Sequence, residues 1–351
     1  MNNEFEFASN QEVCIQQINI ERSLEPNDIS VPPGYQVEVF VQGLNTPIGI
    51  VFIENGDMLI ADDGILSGNP RVILLSEGNF TIIAEGFNVP ITGINYRKGD
   101  IYVSHRGVIA VVKLDGTRKD IISGLPSYGD YSNTELELVA WGFRNPFIVK
   151  HDRFNRIFVA NQGYEVRGSR PIANSPDVIS IIIPGTWYGW PDYAGGELVT
   201  LPRFAPVGGP KPEILFTNHP SVPPSPFAIF PPYSTIMGLD FNSNPDFGIV
   251  NDMYIAEFGS TISDIIGVES RSGVGHRVTK VDMNSGQIST FAINKSGFPA
   301  YIEQEGGFSR PTDVVFGPDG AMYVTDYAIT TQESPYNYLP NTGVIWRISK
   351  T

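Results

Sequence analysis

The chain has 351 residues, and its 38 acidic side chains outnumber the 23 Lys and Arg, for a formal net charge of −15 at pH 7. This charge argues against the basic surfaces by which proteins bind nucleic acids or anionic membranes. The single cysteine, Cys14, excludes an internal disulfide and a cysteine-rich metal site. The 36 glycines and 28 prolines suit many short strands joined by tight turns.

The N-terminal region, residues 1–33, is mostly polar, and we expect it to be a poorly structured lead-in. It contains neither the basic stretch nor the apolar stretch of a secretory signal. No apolar run in the chain approaches the roughly 20 residues that a membrane-spanning helix needs. Residues 35–41 alternate between apolar and polar side chains, which predicts a strand.

From residue 47 onward one pattern recurs five times. Each copy has an apolar strand, a turn rich in Gly, Asp or Asn, and a second strand that ends in a polar residue. A four-stranded blade takes about 40 to 50 residues, so each interval between copies holds one blade plus insertions. The sequence therefore predicts an all-β propeller with about five recognisable blades. The copies begin at Pro47, Pro90, Pro146, Ile236 and Pro311.

The last copy supplies only three strands, so we expect the strand at residues 35–41 to close the last blade. Residues 34–351 then form a single propeller domain. A proline-rich insertion at residues 194–232 is expected either to cover one face of the ring or to pack outside the blades.

Several motifs carry a likeness to a known family: GFRNP at 142–146, Pro176-Asp177, YGWP at 188–191, RPTDV at 310–314 and FGPDG at 316–320. Together they resemble the glucose/sorbosone dehydrogenase family, whose members are β-propellers that use pyrroloquinoline quinone (PQQ) and calcium. The resemblance begins at about residue 33 and covers most of the chain. It also implies an extracytoplasmic location, for which this chain shows no signal peptide.

The chain departs from that family in one blade. The family has six blades, and a Gly-Asp-His segment in one of them carries the histidine that acts as general base. Here Gly129-Asp130 is followed by Tyr131, and most of that blade is absent from the sequence. We take His276 and His105 as the best substitute bases, because an unperturbed histidine titrates near neutral pH.

The resemblance also assigns binding residues. Arg144, Asn145 and Arg310 match residues that contact the quinone, and the loop with Gln162 and Gly163 matches a loop that gives carbonyl oxygens to calcium. The alternatives are that Arg144 pairs with a neighbouring blade's carboxylate, that Asn145 caps a turn, that the glycine loop is an ordinary turn and that Arg310 is a surface arginine before a proline.

These assignments predict a quinoprotein-type sugar or aldose dehydrogenase, which transfers hydride from a sugar hydroxyl to PQQ with calcium, its activity weakened by the missing blade. Its partners would be a small sugar and an unidentified electron acceptor. One alternative is a non-catalytic propeller that binds a ligand or a protein. The other is a calcium-dependent lactonase-like hydrolase, with Asp62, Glu257 and Asp326 as inward-facing acids.

Overall fold

The computed structural model describes residues 22–123, 137–260, 274–303, 306–331 and 334–351. It contains four four-stranded antiparallel sheets and one sheet with a short fifth strand, which confirms the predicted five-bladed propeller. We number the blades 1 to 5 in the order of their first strands, which lie innermost. Successive inner strands contact each other from blade 3 through blades 4, 5 and 1 to blade 2. The segment predicted to replace the family's histidine, Gly129 to Tyr131, lies outside the described residues.

Blades 1 to 3 follow one another along the chain, each with its strands in sequence order from the inside outward. Blade 1 contains Pro47–Phe52, Met58–Asp62, Arg71–Ser76 and Asn79–Glu85. Blade 2 contains Ile91–Arg97, Asp100–His105, Val108–Val112 and Arg118–Ser123. Blade 3 contains Pro146–His151, Ile157–Asn161, Pro176–Ile181 and Ala228–Pro232.

Blades 4 and 5 each include a strand from the N-terminal part of the chain. Blade 4 contains Ile236–Phe241, Met253–Glu257, Arg277–Val281, Ile288–Asn294 and the short edge strand Ile29–Ser30. Blade 5 contains Pro311–Phe316, Met322–Asp326, Gly343–Lys350 and Tyr35–Leu44. The smaller elements are the strand pairs Ala140–Trp141 with Thr186–Trp187, Tyr193–Ala194 with Glu197–Leu198 and Thr330–Thr331 with Ser334–Tyr338, the 3-10 turns Pro26–Asp28 and Pro202–Phe204, and the helix Ala300–Glu303.

The N-terminal strand completes the last blade as predicted. Tyr35–Leu44 pairs antiparallel with Gly343–Lys350, and in this register Val37 lies opposite Ile348 and Val39 opposite Trp346. The strand thereby becomes the outer strand of blade 5 and covers an edge that would otherwise be unpaired.

The described part of the lead-in, residues 22–33, is better ordered than the sequence suggested. Ile29–Ser30 pairs with Ile288–Asn294 of blade 4, and Ile29 is buried in the core of that blade. Arg22 forms a buried ion pair with Asp326 of blade 5. The expectation of a poorly structured lead-in is wrong for these residues, because one apolar and one charged side chain anchor an otherwise polar stretch.

Blade 3 shows how the core is divided between blades. One face of its sheet, with Phe158, Ala160 and Ile179, packs against Ile236 and Leu239 of blade 4. Alternate residues of a strand point to opposite faces, so Val149 and Ile157 lie on the other face, where 65% and 39% of their surface is exposed. None of the described helices is long and apolar enough to span a membrane.

The proline-rich insertion connects the third strand of blade 3 to its outer strand, Ala228–Pro232. Its anchor is the buried carboxylate of Asp192, which accepts hydrogen bonds from the backbone N–H groups of Leu215 and Phe216 and from the side chain of Arg170. His219 of the insertion contacts the same carboxylate at 3.0 Å and stacks on Trp187. These contacts tie the insertion to the loop that contains the YGWP motif.

Candidate functional site

The second strand of every blade ends at the same rim of the ring. A polar or charged residue occupies each of these ends, where the strand leaves the apolar core and reaches the rim. The five residues are Asp62, His105, Asn161, Glu257 and Asp326. All of the site residues predicted from the sequence lie at or beside these strand ends.

The three carboxylates among these five residues each have an arginine partner. Asp62 pairs with Arg71 at 2.8 Å and Glu257 pairs with Arg277 at 3.0 Å. Asp326 pairs with Arg22 from the N-terminal segment. All three carboxylates are buried. A buried carboxylate that is paired with arginine is a poor ligand for calcium, so this geometry does not favour the lactonase-like alternative.

Arg144 lies in the turn that leads into the inner strand of blade 3. Its guanidinium donates a hydrogen bond to the carbonyl of Gly163, and Nη2 lies 3.6 Å from the carboxylate of Glu165. The side chain is about one-fifth exposed. Arg144 therefore has a carboxylate close by, but Glu165 belongs to the same blade and not to a neighbouring blade as the alternative predicted, and one-fifth of the Arg144 side chain stays accessible.

Asn145, Gln162 and Gly163 form a hydrogen-bonded loop beside Arg144. The Asn145 amide donates to the side-chain oxygen of Gln162 at 2.7 Å, and the backbone N–H of Asn145 donates to Asn161 at 2.9 Å. The Gly163 carbonyl, one of the two backbone oxygens predicted to bind calcium, thus already accepts a hydrogen bond from Arg144, and Asn145 binds the side-chain oxygen of Gln162 rather than its carbonyl. Among the described residues, no group of three or more His, Cys, Asp or Glu side chains could hold a metal ion.

Asp177 sets the position of this loop. Its carboxylate accepts hydrogen bonds from the backbone N–H of Gly163 at 2.7 Å and of Ile236 at 3.2 Å. Burial raises the pKa of Asp177 to about 6, although these N–H groups act in the opposite direction. The side chain of Gln162 also reaches the Ile236 carbonyl at 3.4 Å, so the loop is attached to blade 4 at two points.

A small pocket with an enclosed volume of about 30 Å³, open to solvent at its mouth, lies beside this loop. It brings together Arg144, Gln162 and Gly163 among the predicted site residues. Aromatic rings form much of its remaining wall, and one of them, Trp190, is 45% exposed. The aromatic residues of the wall are Phe143, Tyr164, Tyr188, Trp190 and Tyr193.

A second cluster contains His276 and Arg310 and lies where blade 4 meets blade 5. The His276 ring is buried, and its Nδ1 contacts the carbonyl of Ser309 at 2.8 Å. A carbonyl only accepts, so Nδ1 carries the proton and Nε2 carries the lone pair. Nε2 has no hydrogen-bond partner in the described chain. Burial, with the nearby charge of Arg310, lowers the pKa of His276 to about 3.

Arg310 is fully buried. Its guanidinium carbon lies 5.0 Å from the ring centre of Phe258 and 4.6 Å from that of Tyr301. Nη1 donates to the carbonyl of Ser260 at 3.2 Å, whereas Nε and Nη2 have no hydrogen-bond partner among the residues that the structure describes. Arg310 therefore differs from Arg22, Arg71, Arg144 and Arg277, because each of these lies within 4 Å of a carboxylate.

His105, the other predicted base, lies apart in blade 2. Its Nδ1 faces the backbone N–H of Asn88 and its Nε2 faces the guanidinium of Arg118, each at 3.1 Å. A neutral imidazole has only one lone pair on its two ring nitrogens, so these donors leave none for a substrate. Burial, followed by the charge of Arg118, lowers the pKa of His105. We assign His105 a structural role.

The predicted residues thus form two adjacent groups, the loop around Arg144 and the pair His276 and Arg310, whereas His105 lies apart. The two groups meet through Ile236, whose neighbours Ser234 and Thr235 accept hydrogen bonds from Gly259 and Phe258. The sequence did not reveal Arg22, Asp177 or Tyr301 as parts of these groups. Only Asp177 gave a signal, because Pro176-Asp177 was among the motifs.

Comparisons with known proteins show that this chain is similar to several solved structures in fold. No family model matches the sequence, and no curated protein matches it. Among solved structures, a PQQ domain of pyranose dehydrogenase from Coprinopsis cinerea is 15% identical with a TM-score of 0.56, covering 92% of this chain and 97% of its own. A calcium structure of a carbohydrate-active enzyme of family AA12 from Trichoderma reesei is 13% identical with a TM-score of 0.62, covering 95% of this chain and 100% of its own.

A third structure, a putative glucose dehydrogenase from Thermus thermophilus, is 17% identical with a TM-score of 0.53, covering 90% of this chain and all of its own. At such identities the likeness concerns the fold alone. In fold, this chain is a β-propeller similar to those of PQQ-type sugar dehydrogenases.

Proposed function

We propose that this protein is a quinoprotein-type sugar dehydrogenase, with PQQ bound at the rim of the ring where blades 4 and 5 meet. The observation that carries the proposal is the buried guanidinium of Arg310, with two unpartnered nitrogens in the described chain. A buried cation without a counter-charge is costly, so the site favours an anionic ligand. The similarity of fold to sugar dehydrogenases supports the choice of ligand.

PQQ carries carboxylates, and Arg310 has two donor nitrogens without a partner in the described chain, so this side chain suits an anionic group of the quinone. Arg310 would hold a carboxylate, and the rings of Phe258 and Tyr301 on its guanidinium would keep water away from the pair. When bound, the quinone supplies the acceptor for a hydride from the sugar.

His276 would act on the sugar hydroxyl. Its Nδ1–H is held by the Ser309 carbonyl, so the lone pair on Nε2 can accept a hydrogen bond from that hydroxyl. With a pKa of about 3, the ring takes up a proton poorly. A carboxylate on Arg310 would offset the charge that helps to depress the pKa of His276, and the ring would become more basic.

Calcium does not fit the loop as it stands. The Arg144 guanidinium donates to the Gly163 carbonyl, one of the two backbone oxygens that the resemblance assigns to calcium, and Asn145 donates to the side-chain oxygen of Gln162. A calcium ion bound by the Gly163 carbonyl would have to displace the Arg144 guanidinium, so the proposed reaction does not depend on the metal. At the mouth of the same pocket, which is too small to enclose a sugar, the exposed ring of Trp190 would offer stacking and the loop would offer amide groups.

The second candidate is a propeller that binds its ligand without turnover. The low pKa of His276 favours it, since an efficient general base has a pKa near the working pH.

Reconstitution with PQQ, with and without calcium, followed by a dye-linked assay on a panel of aldoses tests the proposal. We expect PQQ to bind and the turnover to be weak, because a well-matched base contributes roughly 10²–10⁴-fold to the rate. Binding of PQQ without any turnover would favour the second candidate. A protein that binds no PQQ would reject both PQQ as the cofactor and the proposed dehydrogenase activity.

A further inference from the structure

Arg22 makes several contacts at the rim of blade 5, although it lies outside the propeller repeat. Its guanidinium pairs with Asp326 and donates to the carbonyls of Gly307 at 2.8 Å and Thr342 at 2.9 Å. The side chain is only 3% exposed. A charge that is so deeply enclosed is held in a fixed position by its partners.

The other blades explain why this arginine is needed. In blades 1 and 4, the acid at the end of the second strand lies directly across from an arginine at the start of the third strand, Asp62 from Arg71 and Glu257 from Arg277. In blade 5 the corresponding neighbour of Asp326 is Val344. The N-terminal segment therefore supplies the counter-charge that blade 5 lacks.

Asp326 in turn holds the backbone that presents Arg310. Its carboxylate accepts hydrogen bonds from the N–H groups of Ser309 at 2.9 Å and Arg310 at 2.5 Å, and from the indole of Trp346 at 3.0 Å. The orientation of this carboxylate thus decides where the chain turns before the inner strand of blade 5.

Residues 22–28, which we call the N-terminal clamp, hold the same turn at a second point. The backbone N–H of Glu25 donates to the Gly306 carbonyl at 2.8 Å, and the N–H of Gly306 donates to Asp28 at 2.8 Å. A Cβ on Gly306 would lie 2.2 Å from the backbone nitrogen of Glu25, so only glycine permits this approach.

We infer that Arg22 is a positioning residue for the anion site: through Asp326 and Gly307, the N-terminal clamp fixes the turn that directs the Arg310 guanidinium toward its ligand. This inference rests on the proposed function for the identity of the ligand. The clamp's effect on the turn is a property of the ligand-free protein and can be measured separately.

Hydrogen exchange of the ligand-free full chain tests the effect on the turn. In Arg22→Ala, we expect the amides of Ser309 and Arg310 to exchange roughly tenfold faster, because the Asp326 carboxylate that holds them loses its own anchor. Arg347→Ala is the matched control, since it removes an arginine from the same blade that pairs with Glu38 and Asp319 at the surface. Unchanged exchange at Ser309 and Arg310 would overturn the inference.

Titration with PQQ separates positioning from general stability. We expect Arg22→Ala to weaken PQQ binding about tenfold, and we expect guanidinium ions at millimolar concentration or the variant Arg22→Lys to restore part of the affinity. If Arg22→Ala does not fold, Asp28→Ala cuts the second contact to the turn without leaving a buried charge, and the same direction of change is expected. Faster exchange with unchanged PQQ affinity would overturn the positioning role. A wild-type protein that binds no PQQ would reject the proposed function. In that case the exchange measurement alone would show whether the N-terminal clamp fixes the turn.

Discussion

Asp177 in blade 3 accepts a hydrogen bond from the backbone N–H of Ile236 in blade 4 at 3.2 Å. This bond ties the loop of Gln162 and Gly163 to the neighbouring blade at the point where the two clusters of candidate site residues meet. A single buried carboxylate thereby joins the blade 3 pocket to the groups around His276 and Arg310.

Replacing this carboxylate should change how stability depends on pH. The pKa of Asp177 is raised from 3.8 to about 6 in the folded protein, so between these values the folded chain binds more protons than the unfolded chain. Stability due to Asp177 is therefore fully present below about pH 4 and is lost as the pH rises toward 6. We expect the unfolding free energy of wild type relative to Asp177→Asn to fall by about 2–3 kcal/mol over this range.

Urea titrations of both proteins at several pH values measure this difference. Asp246→Asn, a change at an exposed carboxylate, is the control. A difference between wild type and Asp177→Asn that stays constant from pH 4 to 7 would contradict the buried role of Asp177.

The fold could largely be predicted from the sequence, because each blade repeats the same local signals. Pro47 and Pro311 open inner strands, Asp62 and Asp326 end second strands, and the leftover strand at 35–44 had one unpaired edge to fill. Ion pairs between distant segments leave no such local signal. The partner of Asp326 is 304 positions away at Arg22, which the sequence placed in an unstructured region.

The site residues were harder to predict for the same reason. His105 ends the second strand of blade 2 and His276 directly precedes the third strand of blade 4. In the sequence the two look alike, and only their neighbours in the fold distinguish them. Two donors surround His105, whereas His276 has one acceptor and one unpartnered nitrogen within the described chain.

The His276 ring of the ligand-free protein should show no titration near neutral pH, and in the PQQ complex its pKa should lie higher. Because its pKa is about 3 in the ligand-free protein, the ring is neutral throughout the range from pH 5 to 8. We expect His276→Ala to lower kcat by roughly 10²-fold or more while quinone affinity changes little. His105→Ala should instead lower stability by about 1–3 kcal/mol, because it removes a buried ring that contacts Phe87 and the hydrogen bond that this ring accepts.

Rate profiles over this pH range, with PQQ titrations of both histidine variants, check the assignment. Equal loss of kcat in the two variants would contradict the assignment of His276 as the residue that contacts substrate and of His105 as a structural residue.

Arg144 and Glu165 should affect quinone binding in opposite directions if the blade 3 pocket also contacts the cofactor. Arg144→Ala should weaken PQQ binding by about tenfold or more, since a charged hydrogen bond is worth roughly 1.5–3 kcal/mol. Glu165→Gln should strengthen it, because the carboxylate beside Arg144 repels an anionic ligand. Equilibrium titrations of the two variants measure both effects, and unchanged affinity in both would place Arg144 outside the cofactor site.

Arg310 is proposed to hold an anionic quinone through Nε and Nη2, which have no hydrogen-bond partner in the described chain. The most direct measurement is the dissociation constant of PQQ for wild type, Arg310→Ala and the surface control Arg347→Ala, determined by equilibrium titration. The account predicts that wild type and Arg347→Ala bind with the same affinity and that Arg310→Ala binds at least about tenfold more weakly. Equal affinity of Arg310→Ala and wild type would contradict it.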